Sequence, residues 1–544
     1  MDVNTVKKIE DAGIQNGLDL RRLGVAVFLM VSVLLYSYHQ SGGVPNNAML
    51  AIAAVFGVYM AMNIGANDVA NNVGPAVGSK ALTMGGAIII AVIFEASGAL
   101  IAGGDVVGTI KKGIIDINAF GGSTDAFIWA MMAALLSAAI WLNAATMMKA
   151  PVSTTHSIVG GVMGAGIAAG GFGIVAWLTM GKIAASWIIS PILGGIIAAI
   201  FLYSIKKTIV YKEDKIKATK LYVPIYISIM SWAFVTYLTL KGLKKIWPDI
   251  VNIFTFLPDT KKPTFIVALA FGLIIAIIVY IISNAIISNS SKSMKNSRSG
   301  VNSLFTIPLI FAAALLSFAH GANDVANAIG PLAAINDAVI NGGISSKAEI
   351  PLWVMSVGAI GIAVGLSLYG PKLIKTVGGE ITELDQMRAF SVAMAAAITV
   401  IIASQLGLPV SSTHIAIGGI FGVGFLREYL ENNDDKVNKL ENEKDLLTKE
   451  KETLKALNKE FDDLDSKSNK SNEDYVRITE LYKLIDSEET KIKEAKKHIK
   501  TAIKVKYVKR ETVKKIIAAW VITVPAAAVL SAMLFFTIRG IMIP

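Results

Sequence analysis

The chain has 544 residues, of which 54% are hydrophobic and only 17% charged, and its mean hydropathy is +0.58. That balance excludes an ordinary soluble domain and describes a polytopic membrane protein. With no cysteine, disulfides, thiolate chemistry and cysteine-held metals are excluded; the formal charge of +11 is no nucleic-acid footprint, because the lysines cluster at the ends of apolar segments, as cytoplasmic membrane loops require.

In chain order, windows able to cross a hydrocarbon core of roughly 30 Å fall at residues 23–38, 48–64, 85–102, 126–146, 183–203, 221–240, 265–287, 304–319, 352–369, 389–406 and 516–538. Glycine-rich windows start at Pro151 and Pro409. The expected fold is all-α, with about 12 spans including broken or re-entrant helices. The first window follows Lys7, Lys8, Arg21 and Arg22 and has no small-residue cleavage site after it, so it reads as a retained span.

The chain repeats itself. GANDVANNVGPA opens at Gly65 and GANDVANAIGPL at Gly321; PVSTTHSIVGGVMGAG opens at Pro151 and PVSSTHIAIGGIFGVG at Pro409. The two pairs keep nearly the same spacing, which makes two homologous halves. A third echo, KIAASWIISP from Lys182 and KIIAAWVITVP from Lys515, falls out of register because the second half carries an insertion. The insertion, at 427–510, holds about half of the 40 acids. Leu440, Leu447, Leu454 and Phe461 recur at heptad spacing, with Leu457 and Leu464 completing an apolar seam, and SKSNKSNED interrupts it. A soluble coiled-coil helical hairpin is expected: a stalk or packing element, with a regulatory or homodimer contact as the alternative. The divisions are then an N-terminal amphipathic segment and extra span (1–46), repeat 1 (47–205), connecting spans (206–301), repeat 2 (302–426), the hairpin (427–510) and the last span of repeat 2 (511–544).

Lysines suggest orientation. The loop after the first PVSTTH segment is almost uncharged while its counterpart is the lysine-rich hairpin, and HQSGGVPN (39–46) lacks fixed charge while SSKSMKNSR (290–298) is basic. Counterpart loops should therefore lie on opposite sides, making the repeats inverted in topology, with the N-terminus and hairpin cytoplasmic and the chain in the cell membrane. The stretch 241–262 argues against this, since it should be external yet carries several lysines.

Polar residues within apolar windows point to function. An unpaired Asn or Asp in hydrocarbon costs several kcal/mol, so such residues persist where they bind one another, a backbone or an ion. Asn67 and Asp68, repeated as Asn323 and Asp324, offer hard oxygen ligands suited to a small cation such as sodium, beside backbone that can unwind between glycine and Gly-Pro. Asn71 and Asn327 lie one turn further on if the helix persists. The bland alternative is interhelical hydrogen bonding; duplication argues against it. In PVSTTH and PVSSTH, hydroxyls stand where a helix N-terminus presents free N–H groups, and two such ends facing each other would hold a tetrahedral oxyanion, phosphate or sulfate. Glu95, within a span, is a further candidate to gate, relay a proton or pair with a lysine. His156 and His414 are expected to orient neighbouring groups. His320 replaces Ile64 of the first copy and so lies outside the shared machinery.

These four motif copies resemble the inorganic phosphate transporter (PiT) family of secondary carriers, over both membrane halves. The resemblance implies uptake of inorganic phosphate coupled to sodium in many members and to protons in others. It places cation ligands at Asn67, Asp68, Asn323 and Asp324, and phosphate ligands at Ser153, Thr154, Thr155, Ser411, Ser412 and Thr413. No catalytic residue, cofactor or nucleic-acid partner is implied; sodium is the coupling ion, and phosphate, sodium and the bilayer are the partners. The extra N-terminal span and the late insertion depart from the family pattern. A channel would need a continuous polar pore, and an enzyme a nucleophile with a base; the apolar spans and the lone histidines supply neither. No P-loop motif is present.

Overall fold

The computed structural model describes residues 3–543 except 121–122, 149, 151, 245, 343–349, 381–383, 434–435, 468, 504–507 and 509. Pro151, the first residue of one hydroxyl motif, is outside them, as is the side chain of Leu440 in the heptad pattern. In order the helices are α1 Val3–Gln40, α2 Asn47–Gly78, α3 Met84–Ala102, α4 Gly104–Lys112, α5 Thr124–Met147, α6 Thr154–Gly170, α7 Trp177–Ile205, α8 Lys215–Gly242, α9 Trp247–Ile253, α10 Phe265–Ser290, α11 Arg298–Leu304, α12 Thr306–Asn341, α13 Leu352–Glu380, α14 Gln386–Gln405, α15 Ser412–Asn433, α16 Lys436–Asp465, α17 Asn472–Ile503 and α18 Arg510–Met542. Among the described residues there is no strand beyond an isolated bridge between Ile115 and Val175.

Among the described residues ten helices (α2, α3, α5, α7, α8, α10, α12, α13, α14 and α18) are long and apolar enough to cross a membrane. The protein is thus an all-α, polytopic membrane protein. The window at 23–38 lies in α1, and the two glycine-rich windows become α6 and α15. Burial runs opposite to a soluble fold: α10, the most apolar span, is mostly exposed, while α12, which carries the second GAND motif, is almost wholly buried. Lipid solvates the first as well as a protein core would, whereas the polar groups of the second must find partners inside.

Local chemistry sets the helix starts. Thr83, Ser123, Asp214, Thr264 and Asp385 each cap a span by accepting a hydrogen bond from the backbone N–H three residues on. Pro75 and Pro331 lie inside α2 and α12, and both helices run unbroken through GAND and the Gly-Pro that follows. Of the two courses open to this backbone, unwound or helical, it takes the helical one. The glycines serve close packing instead: a Cβ on Gly65 would strike the carbonyl of Ile362 in α13, and one on Gly321 the carbonyl of Glu95 in α3. The same mirrored crossings bring Gly365 onto Met62 and Gly98 onto Phe318. Within the GAND segments, side chains and not freed carbonyls therefore supply the polar groups.

Residues Gly424–Lys509 form a second compact unit. Within it α16 and α17 pack through Phe461 and Tyr482, whose rings lie 4.8 Å apart, and through Arg477 on Glu460 at 2.9 Å. Leu447, Leu454, Leu457 and Leu464 are less exposed than the charged residues around them, and Leu481 is fully buried. In the turn between the helices, Lys467 together with the N–H and hydroxyl of Ser471 holds the Asp474 carboxyl at about 2, down from its ordinary 3.8.

Candidate functional site

Four helices bring the motifs together. α2 and α12 carry the two GAND segments side by side, and the N-termini of α6 and α15 reach them from inside the protein rather than from a membrane surface: Ser153, Thr154, Thr155, Ser411, Ser412 and Thr413 are all at most 3% exposed. Ser153 and Ser411 are the N-caps of their helix starts, their hydroxyl oxygens accepting from the N–H of His156 (3.1 Å) and His414 (3.2 Å). The first-turn N–H groups of Thr154 and Thr155, and of Ser412 and Thr413, have no intrahelical acceptor and carry the positive end of each dipole.

The contacts obey the repeat. Thr154 donates to Asp68 at 3.0 Å, and its counterpart Ser412 donates to Asp324 at 3.1 Å. Asn71 donates to Thr413 at 2.9 Å, and Asn327 to Thr155 at 3.1 Å, so each GAND helix also reaches the hydroxyl motif of the other half. Thr413 in turn donates to Asp68 at 2.9 Å, and Thr154 lies within reach of Asp324 at 3.3 Å. Asn67 donates to its neighbour Asp68 and to the carbonyl of Val152, while Asn323 donates to Ser404. All ten duplicated candidates, with Asn71 and Asn327, thus lie in one buried cluster.

The donor set is one for a cation. The carboxamide oxygens of Asn67, Asn323 and Asn327 and Oδ1 of Asp324 are buried without a hydrogen-bond partner, a costly arrangement unless an ion or water uses them. Among the described residues the only basic side chain paired with Asp68, Asp324 or Glu95 is His320. Oxygen-rich, carboxylate-containing and poor in basic groups, the site suits a hard cation.

His320, whose counterpart is apolar and which the repeat leaves outside the shared machinery, stands at the centre of the cluster. Its Nε2 lies 3.1 Å from Asp324 and 3.5 Å from Asp68, and its Nδ1 3.3 Å from Glu95. Among the described residues Glu95 pairs with this histidine and with Asn72 (2.7 Å), and not with a lysine. The mirrored glycine crossings make Ile362 the counterpart of Glu95; Ile64 and Ala328 are the counterparts of His320 and Asn72. Three polar residues with apolar counterparts therefore meet, and that shared breach of the repeat, with His320 four residues before Asp324 on one helical face, was the signal available. His156 instead lies tilted against Trp187, ring centroids 3.8 Å apart, His414 stacks on Trp520 at 3.6 Å, and the two histidines meet edge to face at 4.4 Å. The two tryptophans are those of the third echo.

Fold and motifs together define a multi-pass membrane protein whose duplicated polar residues meet in one buried cluster. The sequence matches the phosphate transporter family over residues 64–531. A provisionally named phosphate permease of Helicobacter pylori strain J99 is 46% identical over 548 aligned residues, covering 98% of both chains, and one of Haemophilus influenzae is 40% identical over 69% of this chain and 87% of its own. A solved structure, "The sodium-dependent phosphate transporter", superposes with a TM-score of 0.68 at 29% identity, covering 91% of this chain and all of its own. The chain belongs to the phosphate transporter family, whose function is transport and not catalysis.

Proposed function

We propose that the chain imports inorganic phosphate across the cell membrane in symport with sodium, by alternating access. The observation that carries this reading is the mirrored contact of Thr154 with Asp68 and Ser412 with Asp324. In it the groups suited to the anion are held by the groups suited to the cation. Sodium drawn to the carboxylates and to the unpartnered carboxamide oxygens competes for the lone pairs that the hydroxyls now occupy. Hydroxyls so released, with the N–H groups at the starts of α6 and α15, turn to an oxyanion. Each ion thus lowers the cost of desolvating the other, which is a coupling free energy between linked sites. Asp68, Asp324, Thr154 and Thr413 are at most 1% exposed, so loading and release require the surrounding helices to part on one side and then the other. Inverted topology supplies two equivalent ways of doing so, and the lysine-rich loops favour a cytoplasmic hairpin and N-terminus.

A second reading has its own observation. The His320, Glu95 and Asn72 cluster offers proton acceptors beside the carboxylates, and it favours proton coupling. Uptake of labelled phosphate into proteoliposomes separates the two. Sodium coupling predicts uptake that collapses when potassium replaces sodium at fixed pH; uptake indifferent to that exchange and driven by an inward proton gradient would leave only the second reading. Sulfate is the rival substrate. Near neutral pH phosphate keeps a proton that Asp68 or Asp324 can accept, so sulfate competing as well as phosphate would remove that argument.

A further inference from the structure

Away from the ion site, α3, α8, α10 and α12 enclose a cavity of about 390 Å³, within the roughly 300–1,000 Å³ range of small-molecule sites. Its walls are apolar apart from Ser231 and Ser283. It opens sideways onto the lipid-facing surface: Ile282, Ile286, Ile307 and Phe311 line it and are each about half exposed. Ile287 of α10 and Ile307 of α12 both line it, and the segment joining these helices carries Lys292 and Lys295, exposed and without a carboxylate partner among the described residues, and Arg298, which is paired with Asp385. Lys292 follows Ile287 by little more than one helical turn, a rise of roughly 8 Å. Asn296 in that segment bonds the carbonyl of Glu213 and the N–H of Lys215, which brings the start of α8 alongside with Lys215 and Lys217. Glu213 and Asp214 oppose these charges, and Asp214 is committed to capping α8. The balance at this end remains positive.

We propose that this is a binding site for an anionic glycerophospholipid, one acyl chain in the cavity and the phosphodiester at Lys292 and Lys295. A greasy slot opening to lipid below a cluster of unpaired lysines matches both ends of such a molecule, whereas a neutral lipid leaves the lysines without a counter-charge. The occupant has a route to the ion site. Phe94 lines the cavity while its neighbour Glu95 turns inward to His320 and Asn72, and Leu315 lines it little more than a turn before His320 on α12. A chain in this slot supports α3 and α12 where they cross at Gly321.

The test measures retention of phosphatidylglycerol and of phosphatidylcholine by delipidated full-length protein. The wild type is expected to prefer phosphatidylglycerol, and raised salt should erase the preference. Lys292→Gln with Lys295→Gln should weaken phosphatidylglycerol roughly 30-fold, from two lysine contacts at the membrane surface, and leave phosphatidylcholine unchanged. Ser283→Phe, which fills the slot, should weaken both lipids. Equal retention of the two lipids by the wild type, or a double lysine variant that binds phosphatidylglycerol like the wild type, overturns the proposal. So does disulfide formation between copies of Ile282→Cys in dilute vesicles, since the chain has no other cysteine and the face would then be covered by a second copy.

Discussion

Asp68 and Asp324 occupy equivalent positions but unequal surroundings. Asp68 receives Thr154, Thr413 and Asn67, whereas Oδ1 of Asp324 is left without a donor. Asp324→Asn and Asp68→Asn each remove a charge and keep the shape, so each should raise the sodium concentration needed for half-maximal uptake by roughly 10- to 150-fold, the worth of one charge-assisted contact. Wild-type sodium curves in both variants, correctly inserted, would reduce the motif to structural glue. The hydroxyls divide by role. Ser153→Ala and Ser411→Ala lose a cap and should cost about 1 kcal/mol of stability, read as a lowered melting temperature in detergent. Thr154→Val keeps the cap and loses the link to both carboxylates, so its effect should fall on the phosphate concentration dependence. The residue types and their duplication were legible in the sequence. That Ser153 and Ser411 cap while Thr154 and Ser412 reach the carboxylates was not, because adjacent positions at a helix start differ by about 100° in direction.

At the scale of elements, helix crossings decide what glycine does. Gly65 and Gly321 stand against backbone carbonyls of α13 and α3, which cannot rotate away, while Gly74 in the same motif has nothing within 4 Å of where its Cβ would be. Gly65→Ala or Gly321→Ala should therefore cost about 1–3 kcal/mol, the usual toll of overpacking, and Gly74→Ala should be neutral or stabilise by up to about 1 kcal/mol through helix propensity. Thermal unfolding of the three variants orders them; a Gly74 variant as damaged as Gly65→Ala would return the motif to an unwinding role. The hairpin turn makes a separate prediction. The folded carboxyl of Asp474 sits at about 2, below its ordinary 3.8, so the contact is fully present above the ordinary value and is lost as pH falls from there through about 2. The protection of amides in the turn, taken relative to their intrinsic exchange rate at each pH, should fall over that window in the wild type and stay constant in Asp474→Asn.

For the whole molecule, every duplicated candidate lies within one membrane unit, and residues Gly424–Lys509 supply none of them. Replacing 432–508 by a short flexible linker should leave phosphate uptake measurable in proteoliposomes; a folded, inserted deletion variant with no uptake would make the hairpin part of the transport cycle. The sequence alone determined the solvent, the number of spans within a few, the doubling of the chain and the list of duplicated polar residues, because lipid demands apolar runs of fixed length and makes every polar exception conspicuous. Tertiary structure decided the rest. Whether GAND unwinds depends on which backbone faces its glycines, and that partner, α13 or α3, is distant in the chain. His320, Glu95 and Asn72 each break the repeat and looked unrelated along the chain, but the crossing at Gly321 sets Glu95 of α3 against α12, where pairing His320 costs less than leaving it buried alone.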